Sequence, residues 1–311
     1  MPYRRMSTPV IEVRDLRKAY DDLQAVAGVS FEVAEGEVFG MLGPNGAGKT
    51  TTVEILEGLR IRDSGNVRVL GLDPAASGSE LKRVVGVQLQ QVALYPRLRV
   101  HEVISLFGSF YERQADTDDL IAMMGLEDRR NARISELSGG QAQRLSVALA
   151  VINEPQLVFL DEPSTGMDPQ ARRSLWDTIE GFKADGMTVV LTTHYMEEAE
   201  RLCDRVAVMD HGRIIALDRP SALVRESFAE DAIEFVSTDG LTAEDLDGLA
   251  AVTGATSQGS AHSVFSRDIP RTMGSLLTLA QERGAPLESM RVRHATLEDV
   301  FLKLTGRTLR D

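Results

Sequence analysis

Gly43-Pro44-Asn45-Gly46-Ala47-Gly48-Lys49-Thr50 fits the pattern G-x-x-x-x-G-K-[ST]. Val38-Phe39-Gly40-Met41-Leu42 before it reads as a short buried strand. After it, Val53, Ile55, Leu56 and Leu59 recur at helical spacing. A strand, a glycine loop and a helix in that order make a phosphate-binding loop. Gly43, Gly46 and Gly48 let the backbone turn successive N–H groups towards phosphate oxygens. The helix beginning near Lys49 adds the positive end of its dipole. Lys49 reaches for the β- and γ-phosphates and the Thr50 hydroxyl for Mg²⁺, while Pro44, Asn45, Ala47 and Thr51 complete the cradle. The stretch therefore places the chain in the α/β class and points to a nucleoside triphosphate, without saying which machine uses it.

The chain has 311 residues, enough for one large domain and a smaller one, and 43% are hydrophobic, enough for a sizeable core. A net charge of −13 is the opposite of a nucleic-acid footprint, so no nucleic-acid partner is expected. The single cysteine, Cys203, has no internal disulfide partner, which suits a reducing compartment, and reads as a packed helix residue. No run of about 18 apolar residues is present, and Arg4 and Arg5 precede no apolar stretch, so neither a membrane span nor a signal peptide is expected. Any membrane process served by this chain needs its membrane part from another chain.

Residues 1–9 read as a tail. Val10–Val13 and Val29–Val33 alternate like antiparallel strands, with Tyr20 between them. On the residues alone, Tyr20 reads more readily as a half-buried edge tyrosine than as a stacking platform. Val67–Leu70 reads as a further strand, and Val84–Leu89 is another short apolar segment, ending at Gln90-Gln91. From about Val100 to Arg133 the pattern is helical, with Leu106, Phe107, Phe110 and Tyr111 as one apolar face and Leu120, Ile121, Met124 and Leu126 as another. This insertion, about 98–155, reads as a subdomain. Leu137-Ser138-Gly139-Gly140-Gln141 stands before an apolar helix, with Ser138 as its N-cap. Spacing alone leaves open whether that helix start binds an anion or is merely capped. Leu157–Leu160 is an apolar strand ending in Asp161-Glu162. Two acids there are costly unless a cation or a reaction uses them. Asp161 suits the carboxylate beside Mg²⁺ and Glu162 the base that takes a proton from water. Asp168 lies in the following loop, and His194 ends the strand Thr188–Thr193, at the same sheet edge as Asp161. After Pro220 the composition shifts. Residues 221–311 parse as a βαββαβ, ferredoxin-like α+β domain with one extra helix.

The ordered set of Gly43–Thr50, Gln90, Leu137–Gln141, Leu157–Glu162, Asp168 and His194 resembles the nucleotide-binding subunit of ATP-binding cassette (ABC) transporters, over residues 10–220. Thr296-Leu297-Glu298-Asp299-Val300-Phe301-Leu302, then Leu304-Thr305-Gly306-Arg307, extends the likeness to daunorubicin-resistance-type exporters, whose ATPase pairs with a separate ABC-2 permease. The resemblance implies a RecA-like core carrying an antiparallel β subdomain and a helical subdomain, with ATP and Mg²⁺ as cofactors. It makes Tyr20 the adenine platform, Gln90 the link between Mg²⁺, water and permease, Asp161 the Walker B aspartate, Glu162 the catalytic base and His194 the γ-phosphate sensor. Ser138, Gly139, Gly140 and Gln141 then contact the ATP of the opposite subunit, and Asp168 lies on the loop crossing that interface.

What the resemblance implies is an ATPase that dimerises on ATP and drives export of a drug or lipid-like cargo from the cytoplasmic face of the membrane. Arg99, Ala142 and Met167 depart from the family's usual residues but remove no catalytic group. The competing readings are a cassette ATPase of translation or DNA repair and a non-catalytic regulatory module. One cassette, no heptad run and no basic face disfavour the first. The presence of Glu162 and His194 disfavours the second.

Overall fold

Alternating burial builds a long hairpin from β1 (Ile11–Tyr20) and β2 (Leu23–Val33), paired antiparallel from Ile11↔Val33 to Tyr20↔Leu23. Tyr20 is thus a strand residue beside the tight turn. The computed structural model describes residues 9–88, 94–227, 231–237 and 241–305. They fall in two compact units, one reaching to Pro220 and one of Ser221–Thr308. Then follow β3 (Val38–Leu42), α1 (Lys49–Leu56) and β4 (Ser64–Val69), which pairs with β1 to close a three-stranded antiparallel sheet ordered β2-β1-β4.

The first unit continues with α2 (Gly78–Val84), β5 (Val85–Gln88), α3 (Val100–Gly108), α4 (Thr117–Met123) and α5 (Gly139–Ala150). It ends with β6 (Leu157–Asp161), α6 (Pro169–Ala184), β7 (Thr188–Thr193), α7 (Met196–Leu202), β8 (Arg205–Asp210) and β9 (Arg213–Asp218). The main sheet runs β5-β6-β7-β3-β8-β9, parallel except for the β8–β9 hairpin. A parallel sheet covered on both faces needs apolar strands throughout, and β3, β6 and β7 are buried at every residue. Leu42 pairs with Thr193 and Asp161 with Thr192, so β3, β6 and β7 all end at one edge.

Some sequence expectations needed correction. Leu59 lies beyond α1 and is exposed, and Leu70 has left β4 with a φ of +51°. α3 stops at Gly108, and its buried face is Val100, Val103 and Ile104. Leu106 and Phe110 are exposed, Phe110 at 72%. Apolar spacing carried the helix past Gly108, but the chain turns there and sends Phe110 outwards. The helix α2 went unread because its charged residues hide a single buried anchor, Leu81.

The second unit holds α8 (Pro220–Ser227), β10 (Asp231–Val236), α9 (Ala243–Asp247), β11 (Val252–Gln258), β12 (Ala261–Ser266), α10 (Ile269–Arg283), β13 (Glu288–Arg293) and α11 (Leu297–Thr305). Its antiparallel sheet runs β11-β12-β10-β13 around Ile233, Phe235, Leu246, Val264 and Leu276. This is the ferredoxin-like α+β plan, with two additional helices where the sequence suggested one, α8 before it and α11 after it.

Candidate active site

The loop from β3 to α1 is held by backbone shape. A Cβ on Gly43 would lie 2.4 Å from the Met209 carbonyl oxygen. Gly48, at φ +98°, is the residue before α1, and a Cβ there would lie 2.3 Å from the Ala25 carbonyl oxygen. Both close approaches are to backbone of other strands of the same chain, β8 and β2, and leave room for no side chain. Lys49 is buried, and its Nζ donates to the carbonyls of Gly43 at 2.7 Å and Pro44 at 3.1 Å. Burial lowers its pKa, and the charges of Glu162 and Asp161 oppose that shift.

Two carboxylates face this lysine from the end of β6. Asp161 accepts a hydrogen bond from the Thr192 hydroxyl, and the Thr50 hydroxyl is a second hydrogen-bond partner. Burial raises its pKa, and the like charge of Glu162 adds to the rise. Glu162 adopts a φ of +49°, a left-handed backbone that costs a non-glycine residue about 1 kcal/mol or more. Its N–H donates to the Thr192 hydroxyl at 3.0 Å, which fixes that turn. Thr165 Oγ1 donates to Glu162 Oε2 at 3.1 Å, and His194 Nδ1 lies 3.3 Å from the same oxygen. The contact with His194 is the largest influence holding the Glu162 pKa down, so the carboxylate stays ionised at neutral pH.

A cavity of about 280 Å³ collects Tyr20, Leu23, Ala25, the loop from Asn45 to Thr51, and Glu162. Tyr20 lines it, with Lys18 Nζ 5.4 Å and the Arg60 guanidinium 5.3 Å from the ring centroid. A second cavity of about 320 Å³ is lined by Ser138, Gly140, Gln141, Arg144 and Asp168 with their neighbours. The two share no residue. Ser138 caps α5 in a reciprocal box with Gln141: its hydroxyl accepts from the Gln141 N–H at 3.3 Å, and Gln141 Oε1 accepts from the Ser138 N–H at 3.0 Å. Gly139 opens that helix. Asp168 caps α6, accepting from the N–H groups of Gln170 and Ala171, both at 3.0 Å. Gln90 lies outside the described residues. Thr192, which bonds both Asp161 and the Glu162 backbone, went unread in the sequence, because a threonine at a strand end resembles any β-branched strand residue.

The oxygens present fit Mg²⁺. Thr50 and Asp161 offer a hydroxyl and a carboxylate, hard donors that leave most coordination positions to water and phosphate. Asp161, raised by burial and by Glu162, is the kind of carboxylate that a cation would relieve.

The comparisons decide between the remaining classes. Residues 26–165 match the family described as ABC transporter. Along 98% of its length the chain is 39% identical to the Nod factor export ATP-binding protein I of Ralstonia nicotianae, covering 96% of that protein. The chain belongs to the ATP-binding proteins of the ABC transporter family. It is an ATPase with ATP and Mg²⁺ as its cofactors, of the type found in exporters. It is also 34% identical, over 97% of its length, to the linearmycin resistance ATP-binding protein LnrL of Bacillus subtilis, covering all of that protein. A solved dimer of an ATP-binding cassette in a post-hydrolysis state, bound to ADP and Pi, superposes with a TM-score of 0.62 at 25% identity, covering 67% of this chain and 98% of that one. Among the described residues no helix is long and apolar enough to cross a membrane.

Proposed function

We propose that this ATPase is the energising subunit of an ABC-2-type exporter, docked at the cytoplasmic face of the membrane on a separate permease, and that its cargo is a drug or lipid-like hydrophobic molecule. Two copies close on ATP. Tyr20 stacks on adenine, the loop from Gly43 to Thr51 wraps the phosphates, and Lys49 contacts the β- and γ-phosphates. Thr50, Asp161 and Gln90 hold Mg²⁺, which when bound offsets phosphate charge. Ser138, Gly139, Gly140 and Gln141 of the second copy cover the γ-phosphate, and Asp168 lies along the seam. In the reaction a water oxygen bonds to the γ-phosphorus as the bridging oxygen leaves with ADP. Glu162 accepts the water proton, and His194 orients Glu162 and the γ-phosphate. Catalysis of this kind is chiefly positioning and electrostatics.

One observation carries the reading. The phosphate loop and the Ser138 helix start line two separate cavities, so within one chain neither covers the other. A second copy, turned head to tail, supplies the missing cover. The relatives' names, Nod factor export and linearmycin resistance, support an export role.

The test uses Glu162→Gln, which keeps ATP binding and lowers hydrolysis by about 10²–10⁴-fold. With ATP and Mg²⁺ this variant should run as a dimer in light scattering and without nucleotide as a monomer. A monomer under both conditions overturns the composite site. Co-purification of the wild-type chain with an integral membrane protein tests the permease.

A further inference from the structure

Glu198 is a buried acid that this scheme leaves unused. It lies in the first turn of α7, four residues after His194, and is 0% exposed. A carboxylate so placed costs several kcal/mol unless its neighbours hold it. Oε1 accepts a hydrogen bond from Trp176 Nε1 at 2.9 Å, while Oε2 has no hydrogen-bond partner among the described residues. Burial pushes the Glu198 pKa up, while the hydroxyls of Thr193 and Ser164 and the indole of Trp176 draw it back.

The origin of these partners matters. Trp176 comes from α6, the helix capped by Asp168. Ser164 is two residues after Glu162 and itself buried. Thr193 is the last residue of β7, next to His194. A second link runs alongside. The Arg172 guanidinium, also from α6, lies 4.7 Å from the Tyr195 ring and 5.9 Å from the Trp176 ring. The rings of Tyr195 and His194 are 4.2 Å apart.

We infer that Glu198 is a positioning residue for hydrolysis: through its bond to Trp176 it fastens the start of α7, and with it the segment carrying His194, to α6, and so sets the His194–Glu162 contact. The inference rests on the roles proposed for Glu162 and His194. Glu198 touches no reacting atom; it acts through the two residues that do. A misplacement of about 1 Å in such a pair is enough to cost on the order of 10²-fold in rate.

Trp176 is the only tryptophan of the chain, so the indole emission reports on its surroundings. Glu198→Met keeps the side chain's length and removes both acceptor oxygens. In the folded variant kcat should fall about tenfold or more with KM for ATP within about twofold. Its Trp176 emission should differ from that of the wild type, while a fluorescent ATP analogue still binds. A kcat within about twofold of wild type, or a lowered kcat with unchanged Trp176 emission, overturns the inference. Should Glu198→Met fail to fold, Trp176→Phe removes one hydrogen bond and retains a ring, and an unchanged kcat there overturns it equally. Failure of the underlying roles shows separately, as normal hydrolysis by Glu162→Gln.

Discussion

Glu57 shows how far a single side chain's environment departs from its residue type. It follows α1 directly, is 1% exposed, and among the described residues no hydrogen-bond donor reaches either carboxyl oxygen. Burial, with the charges of Asp161 and Glu54, pushes its pKa from 4.5 up to about 8. Between those values the folded chain holds a proton that the unfolded chain has released, so stability falls as pH rises through this window and the loss is complete above about 8. The effect is on the order of a few kcal/mol. Glu57→Gln carries no such loss. Thermal melts at pH 5 and pH 9 should show the variant gaining on the wild type at the higher pH. A gap that does not change with pH would refute the buried proton. Nothing in the sequence singles out Glu57, since burial at the end of a helix is decided by what packs over it. Lys49, Asp161 and Glu162 were legible because their residue types make chemical sense only together.

At the scale of elements, β3 sits at the centre of the main sheet and is pressed by α7. A Cβ added to Gly40 would lie 2.6 Å from Cys203 Sγ, in a place where the thiol is buried. Gly40→Ala should therefore cost about 1–3 kcal/mol by overpacking. Cys203→Ala in the same chain makes room, so the double variant should recover much of that loss. Denaturant melts of the two single variants and the double variant measure the coupling, and strictly additive losses would show that these residues do not compete for space. The central strands were readable because a strand buried on both faces must be apolar throughout. Helix ends were not, because the stop of α3 at Gly108 depends on where the chain has to turn.

At the scale of the whole molecule, the proposed site is shared between copies, and this has a consequence that no single-chain site would show. Lys49→Ala removes the lysine from the phosphate loop, and Ser138→Arg fills the helix start that faces the other copy. Each variant alone should lack ATP hydrolysis, since both sites of its dimer are damaged. In a mixture, one site of each mixed dimer carries both lesions and the other carries neither. Hydrolysis should reappear on mixing, measured as phosphate release. Continued inactivity, with mixed dimers present, would argue against the head-to-tail arrangement.

The sequence by itself determined that this is a phosphate-loop α/β ATPase with a second α+β unit. Those features rest on local rules, a glycine pattern that suits a phosphate loop, strands apolar enough to be enclosed, acids at a buried strand end that a cation or a reaction must use, and on the family resemblance that these motifs carry in their order. The resemblance of its ordered motifs to the ABC family implied a shared site. Only the tertiary structure decided which side chains meet. Thr192 reaching Asp161, Glu198 holding Trp176 and Glu57 shut away from water join residues about 20 to 100 positions apart. Such contacts follow from sheet order and helix packing, not from neighbouring residues. For the same reason the motif, complete in sequence, lines with Asn45–Thr51 a cavity that shares no residue with the one at Ser138, and the cover proposed for it comes from a second copy.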